Sequence, residues 1–403
     1  MIGIARALRE LGHEVAFATG PASAGFLAAE GLDRIPRGED DGASFQVKHW
    51  FQPLSVAIQI KHIEYALSRF PADALIGQQL TFGPLIVRER RRLPVGLLGF
   101  CTYLWPASDE LARKQDLSPF EARLVWRHQD MLGWLNKTRQ MLRLPLYEGG
   151  CRETPFLADL FLVRGVPELQ PDEHLLPGQV HLVGSCLWEP ETIDPELAAW
   201  LRRTAAPEAT VIYAQPGRAF EAPCFWSGLV EALAGSKYRV VASVGRLDRE
   251  VGNLPDTFFV RPHVNQGQVL STARAVVSSA TTTAVLGALT AGLPSLLIPT
   301  GSEQPDVAEV CANAGAALAL TPEEVTPARV REVLDELLKT PSYRERAASL
   351  QSAFTRFDSF QLAADLCERL AESRGPVLRS PTLGGILRRT SPTPEPLATP
   401  PSP

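Results

Sequence analysis

The sequence has little of what marks a specialised environment. Its six cysteines, at 101, 151, 186, 224, 311 and 367, are scattered, and no two form a Cys-x-x-Cys pair. That argues against a disulfide framework or a cysteine-ligated zinc site and favours a reducing, cytoplasmic setting. The seven histidines show no ligand spacing. No apolar run is long enough to span a bilayer, and the first residues do not read as a secretory signal. A basic surplus is also missing: 40 Lys and Arg stand against 45 Asp and Glu, for a net charge of −5. Nothing in that balance calls for nucleic acid or an anionic membrane as partner.

What is present is ordinary globular material. Apolar residues make up 45% and charged residues 21% of 403 residues, which suits two domains with sizeable cores. Residues 1–187 alternate between helical and strand patterns: a helix over Ile2–Leu11, strands at Glu14–Thr19, Ala74–Gly77 and Val95–Phe100, helices over Ala57–Phe70 and Leu117–Leu142, and late strands at Phe161–Val163 and His181–Val183. Such alternation predicts a parallel sheet covered by helices. Residues 188–205, with Pro190 and Pro195, read as an interdomain connector. A second α/β unit with terminal helices occupies 206–373. From 374 to 403 proline, serine and threonine dominate, and that composition predicts a disordered tail.

The most informative stretch is Val260–Ala319. AVVSS reads as a buried strand, and Ala280, Thr281, Thr282 and Thr283 open a helix that runs to Ala291. A helix N-terminus presents free N–H groups and partial positive charge, an anion site in waiting. Gly292 caps that helix, LPSLLIP is a second buried strand, and Glu303 and Gln304 follow at its carboxyl end. Ligands of open α/β sheets bind at such strand ends.

Four pieces in order carry a family resemblance: ARALRELGHEVAFAT (5–19), HLVGSCLWEPE (181–191), LPDTFFVRPHVNQGQVL (254–270) and ALTAGLPSLLIPTGSEQPDVAEVCANAGAALAL (288–320). The chain resembles glycosyltransferase family 1, which includes macrolide and other natural-product glycosyltransferases and the UDP-glucuronosyltransferases. The resemblance implies a GT-B fold: two Rossmann-like, doubly wound α/β domains facing across a cleft. It implies transfer of a sugar from a UDP- or dTDP-sugar to a hydroxyl of a small hydrophobic acceptor, with inversion. No Asp-x-Asp motif appears, and neither a metal nor a cofactor is expected. The sequence leaves the acceptor, the sugar and the oligomeric state open.

By resemblance, Thr281, Thr282 and Thr283 hold the diphosphate. The family usually shows a His-Gly-Gly turn where Ser279, Ala280 and Thr281 stand, so an imidazole contact is absent. Glu303 and Gln304 match the pair that reads sugar hydroxyls, for which a carboxylate and an amide are suited. Val264 and Gln266, with His263 as neighbour, match the nucleobase pocket, and Asn265 replaces the usual proline. Gly217 and Arg218 match a cleft loop only in part. Tyr103 and Trp105 are the better acceptor-pocket candidates among the aromatics. Each has a plainer alternative: helix capping for the threonines and Glu303, a solvated turn for Arg218, and core packing for the aromatics. His13 corresponds to a Gly-His turn remote from the cleft and is read as structural.

The chain starts inside a helix, with no strand before it. In the resembled family that strand leads to the histidine that activates the acceptor. No catalytic residue is therefore assigned, and the expectation is a start set downstream of the true one, with little or no transfer by the 403 residues alone. The alternative is a catalytically impaired or auxiliary homologue that binds nucleotide sugar or a partner without transfer.

Overall fold

A computed structural model describes residues 1–36, 50–170, 173–203, 210–217, 223–245 and 251–379. The first part runs α1 (Ile2–Glu10), β1 (Ala16–Thr19), α2 (Ala24–Ala29), β2 (Asp33–Pro36), α3 (Pro53–Arg69), β3 (Leu75–Gln78), α4 (Gly83–Arg91), β4 (Val95–Leu98), α5 (Asp109–Arg113), α6 (Pro119–Met141), β5 (Leu160–Val163) and β6 (Val180–Leu182). Every residue of β4 and β5 is buried, as expected of parallel strands covered on both faces. The long helix α6 starts at a capping box: the Ser118 hydroxyl accepts from the Glu121 N–H, and the Glu121 carboxylate accepts from the Ser118 N–H.

The strands of this part form two parallel sheets, β1-β2 and β3-β4-β5-β6, rather than the one sheet expected. Among the described residues no ladder joins β1 or β2 to β3–β6.

The second part runs α7 (Pro195–Arg203), β7 (Thr210–Gln215), α8 (Pro223–Leu233), β8 (Tyr238–Ser243), β9 (Phe258–Arg261), α9 (Gln266–Leu270), β10 (Ala275–Ser278), α10 (Thr282–Thr290), β11 (Ser295–Leu297), α11 (Gln304–Asn313), β12 (Ala317–Ala319), α12 (Pro327–Lys339), α13 (Pro341–Phe354) and α14 (Ser359–Ser373). Its six strands are all parallel, in the order β12-β11-β10-β7-β8-β9. Connections from β7 proceed outward on one side, and those from β10 on the other. The sheet therefore reverses between β7 and β10, the place where doubly wound folds open a crevice. The molecule is α/β throughout, with two layered units.

Three details depart from the sequence reading. The stretch read as a connector contains α7, whose Leu197 and Trp200 are buried against Val211, Tyr213 and Phe259. Its apolar residues lie on one helical face, and the sheet gives that face a partner. Residues 374–379, assigned to the tail, pack on the first unit: Val377 is 3% exposed, its N–H donates to Asp159 O, and the Arg379 N–H donates to Gly178 O. One valine and paired backbone suffice to hold a short segment that composition alone marks as loose. Residues 380–403 lie outside the described residues. Trp126 of α6, an aromatic for which core packing was the plainer reading, is 62% exposed.

Contacts join the two units. Cys101, Val166 and Leu169 of the first share a buried cluster with Ala280, Val285, Leu286 and Leu297 of the second. The last helix, α14, returns to the first unit, where Ala363, Leu366, Cys367 and Leu370 pack on Ile4, Leu98, Leu160 and Leu162.

Candidate functional site

The crevice at the carboxyl ends of β7 and β10 is built from two turns. The first follows β7, where Gly217 takes φ +92° and comes so near Ser279 that a Cβ there would lie 2.7 Å from the Ser279 Oγ. The second, residues 279–281, leads into α10. Ala280 adopts φ +59°, a left-handed conformation that favours glycine, and its N–H donates to the Ser278 Oγ at 3.2 Å. Thr281 is the N-cap residue of α10, yet its side chain makes no capping hydrogen bond. Thr282 is 5% exposed and Ser279 not at all, and neither hydroxyl has a hydrogen-bond partner. Thr283 is exposed on the first turn of the same helix. The structure thus brings Gly217, Ser279, Thr281 and Thr282 together. Arg218 lies outside the described residues.

The nucleobase candidates form a second group. Val264 is buried, and its N–H donates to the Ser243 Oγ at 3.3 Å. Gln266 is 3% exposed; its Nε2 donates to Thr283 O at 3.5 Å and its Oε1 has no partner. His263 is exposed and meets Phe26 of the first unit edge to face at 6.2 Å, while Phe26 meets Trp188 at 6.0 Å. An open cavity of about 780 Å³ lies beside these rings, lined by Arg6, Arg9, Phe26, Trp188 and Thr192 among others. Asn265, where the resembled family has proline, donates through Nδ2 to Pro190 O at 2.6 Å and Thr192 O at 3.2 Å. Proline has no such donor, so this substitution ties the connector to the pocket.

Glu189 belongs to the same group and was not singled out from the sequence. Burial raises its carboxyl pKa, countered by hydrogen bonds from the backbone and side chain of Gln266. Its Oε2 is buried without a partner. The Trp188-Glu189 pair lies within HLVGSCLWEPE (181–191), but nothing local marks it as facing a pocket.

The Glu303–Gln304 turn stands at the end of β11. Gln304 is 2% exposed, and its Oε1 accepts from the Thr300 N–H at 2.8 Å and the Thr300 hydroxyl at 3.0 Å. Half of the amide is therefore spent on bracing its own turn. Glu303 is partly exposed and begins α11 without a side-chain capping bond. Across the cleft, Arg164 at the end of β5 donates from Nε to Gly99 O at 3.0 Å. Burial lowers its pKa, countered by the nearby Cys101, Cys186 and Glu303. Cys101, whose thiol pKa burial pushes up to about 12, lies beside Thr282. Two first-unit groups thus close over the threonine turn and the acidic turn.

Tyr103 and Trp105 are not on an open wall. They are 2% and 1% exposed, within a cluster that includes Phe156 and Phe161, and Trp105 stacks on Phe156 at 5.2 Å. Their position after a buried strand explains the correction: the chain turns back into the core there. His13 pairs with Glu368 at 3.2 Å, where α14 meets the end of α1, and is remote from the threonine turn in the fold. Among the described residues no cluster of His, Cys, Asp and Glu could hold a metal, and no helix is long and apolar enough to cross a membrane.

Residues 229–357 match the family described as erythromycin biosynthesis protein CIII-like, C-terminal domain. The chain is 26% identical to 4'-demethylrebeccamycin synthase of Lentzea aerocolonigenes over 333 residues, which covers 78% of this chain and 77% of that relative. It is 24% identical to 3-alpha-mycarosylerythronolide B desosaminyl transferase of Saccharopolyspora erythraea, covering 93% and 95%. The solved structure of glycosyltransferase VinC in complex with DTDP superposes with a TM-score of 0.63 at 22% identity, over 93% of this chain and 96% of that one. The fold is that of the GT-B glycosyltransferases. Over most of its length the chain is similar to natural-product glycosyltransferases.

Proposed function

We propose that the protein transfers a sugar from a UDP- or dTDP-sugar to a hydroxyl of a small hydrophobic acceptor, with inversion at the anomeric carbon and without a metal. One observation carries the reading. Around the β7–β10 crevice, Gln215 Oε1, Ser279 Oγ, Thr282 Oγ1, Gln266 Oε1 and Glu189 Oε2 are all buried and unpartnered. Each such group costs about 1–3 kcal/mol when left unsatisfied, so a cluster of them at a ligand-binding crevice supports a polar ligand that completes them.

Roles follow from position. N–H groups of the first turn of α10, with the Thr281–Thr283 hydroxyls, meet the diphosphate and offset the charge that develops on it as it leaves. This is the work a divalent cation does elsewhere, and chelator should leave binding unchanged. Val264, Gln266 and Glu189, with His263 at the rim, take the base and ribose. Glu303 and the free half of the Gln304 amide read sugar hydroxyls and hold the anomeric carbon in line with the acceptor. The VinC complex with DTDP supports a thymidine donor for this cleft geometry; a relative named as a UDP-glucosyltransferase and another as a UDP-glycosyltransferase support uridine equally.

A second reading draws on the turn at 279–281. It offers no imidazole to the diphosphate, and Ala280 holds a conformation better suited to glycine. An auxiliary homologue that binds nucleotide sugar without transferring it would tolerate both.

The test is calorimetric titration of UDP and dTDP into the full chain. Binding of either that persists in EDTA supports the donor site, and absence of binding by folded protein overturns it. Product stereochemistry, once an acceptor is found, then separates inversion from retention, and transfer from the auxiliary reading.

A further inference from the structure

Two arginines one helical turn apart on α6 reach across the cleft to α11. Arg123 Nε donates to Asp306 Oδ1 at 2.7 Å, and its Nη2 pairs with Glu309. Arg127 Nη2 lies 2.5 Å from Asp306 Oδ2 and donates to Ser302 O at 3.1 Å. Asp306 has no exposed surface and Arg127 is 8% exposed. An ion pair buried so fully is a weak source of stability, because desolvation offsets most of the attraction. Its geometry suggests another use. Arg127 grips the residue just before Glu303 and the residue two beyond Gln304, so the pair assigned to the sugar is held from both sides. Ser302 sits at φ +56°, a conformation uncommon for serine that persists only where surroundings fix it. Its carbonyl is the one Arg127 takes.

We infer that Arg127 is a positioning residue: from the first unit, it sets the 302–304 turn in the geometry that reads the donor sugar. The inference rests on the sugar-reading role proposed for Glu303 and Gln304. It makes docking of the two units and recognition of the sugar one coupled event, since the cation sits on the acceptor-side helix and the turn on the donor side. Asp306 is the hub, with Arg123 and Glu309 extending the contact toward solvent.

The experiment compares bare nucleotide with nucleotide sugar on the full chain, using UDP against UDP-glucose and dTDP against dTDP-glucose. Arg127→Met should leave UDP or dTDP affinity within about twofold and weaken the corresponding nucleotide sugar by about tenfold, one decade of affinity. Glu303→Ala should do the same, and Arg127→Lys, which keeps the cation, should recover part of the loss. A purely structural role would move nucleotide and nucleotide sugar together, and that result overturns the inference. If Glu303→Ala shows the split and Arg127→Met does not, the inference falls while the sugar-reading role stands. If Glu303→Ala shows no split, or neither nucleotide sugar binds, the sugar-reading role falls and takes the inference with it. Should Arg127→Met fail to unfold cooperatively, Asp306→Asn, which keeps side-chain volume, replaces it with the same expected split.

Discussion

Thr282 shows how a single hydroxyl can act in opposite directions on stability and on binding. Its Oγ1 is buried with only the weakly polar Cys101 thiol beside it in the free protein, so Thr282→Ala removes a desolvated group that is at best weakly repaid. Thermal unfolding should show the variant as stable as the parent or more so, by up to about 1 kcal/mol. Titration with UDP or dTDP should show it weaker by roughly 5- to 10-fold, since a hydrogen bond to a charged oxygen is lost. A loss of both stability and affinity would mean that the hydroxyl supports the turn and not a ligand. The turn that carries the threonines was legible in the sequence because strand, turn and helix lie within a dozen or so residues. Glu189 and Asp306 were not. What gives each its meaning is a partner far along the chain, Gln266 for one and Arg127 for the other. No local pattern records that.

Helix packing supplies a contrast between two glycines. Gly3 lies where α1 meets α14, and a Cβ there would stand 2.2 Å from the Phe360 ring. Gly133 lies in α6 with nothing within 4 Å of where its Cβ would be. Alanine gains about 0.5–1 kcal/mol over glycine inside a helix, so Gly133→Ala should raise stability by that amount. At Gly3 the same gain meets overpacking of about 1–3 kcal/mol, and Gly3→Ala should lower stability by about 1–2 kcal/mol. Denaturation midpoints of the two variants should shift in opposite directions, and Phe360→Ala should relieve the Gly3 variant. Equal shifts would show that the ring swings aside at no cost. Both helices were legible from their apolar spacing, and the resemblance implied that the terminal helices pack back on the first unit; the particular meeting of Gly3 with Phe360 was not legible, because the two lie far apart in the chain. Helix α7 was hidden for a different reason. Its prolines signalled a connector, while Pro195 sits at the first helical position, where proline is well tolerated.

At the scale of the whole molecule, the described chain returns after α14 to the unit that holds α1. Residues 375–379 bind the first unit through the Val377 and Arg379 N–H groups and through His181 Nε2, 2.8 Å from Val377 O. Val377 is nearly fully buried. Burying a valine contributes about 1.5–3 kcal/mol and each hydrogen bond about 0.5–1.5 kcal/mol net. A chain stopped after Arg374 should therefore unfold several degrees lower, with a loss of about 3 kcal/mol or more, and calorimetry would read it directly. An unchanged transition would mean that the segment rests on the surface without contributing. The layered α/β architecture and the turns at the β10 and β11 strand ends could be read in advance. The division of the first unit into two sheets could not, because strand pairing depends on which edges meet in space.

The return of α14 also sets a timetable for synthesis. Leu98, Leu160 and Leu162 are covered by Leu366, Cys367 and Leu370, which leave the ribosome some two hundred codons after Leu162. At roughly 5–20 residues per second, the first lobe spends about ten seconds or more with an apolar face uncovered. The nascent chain during that interval is a natural client for a holding chaperone, and the lobe translated first is the lobe finished last.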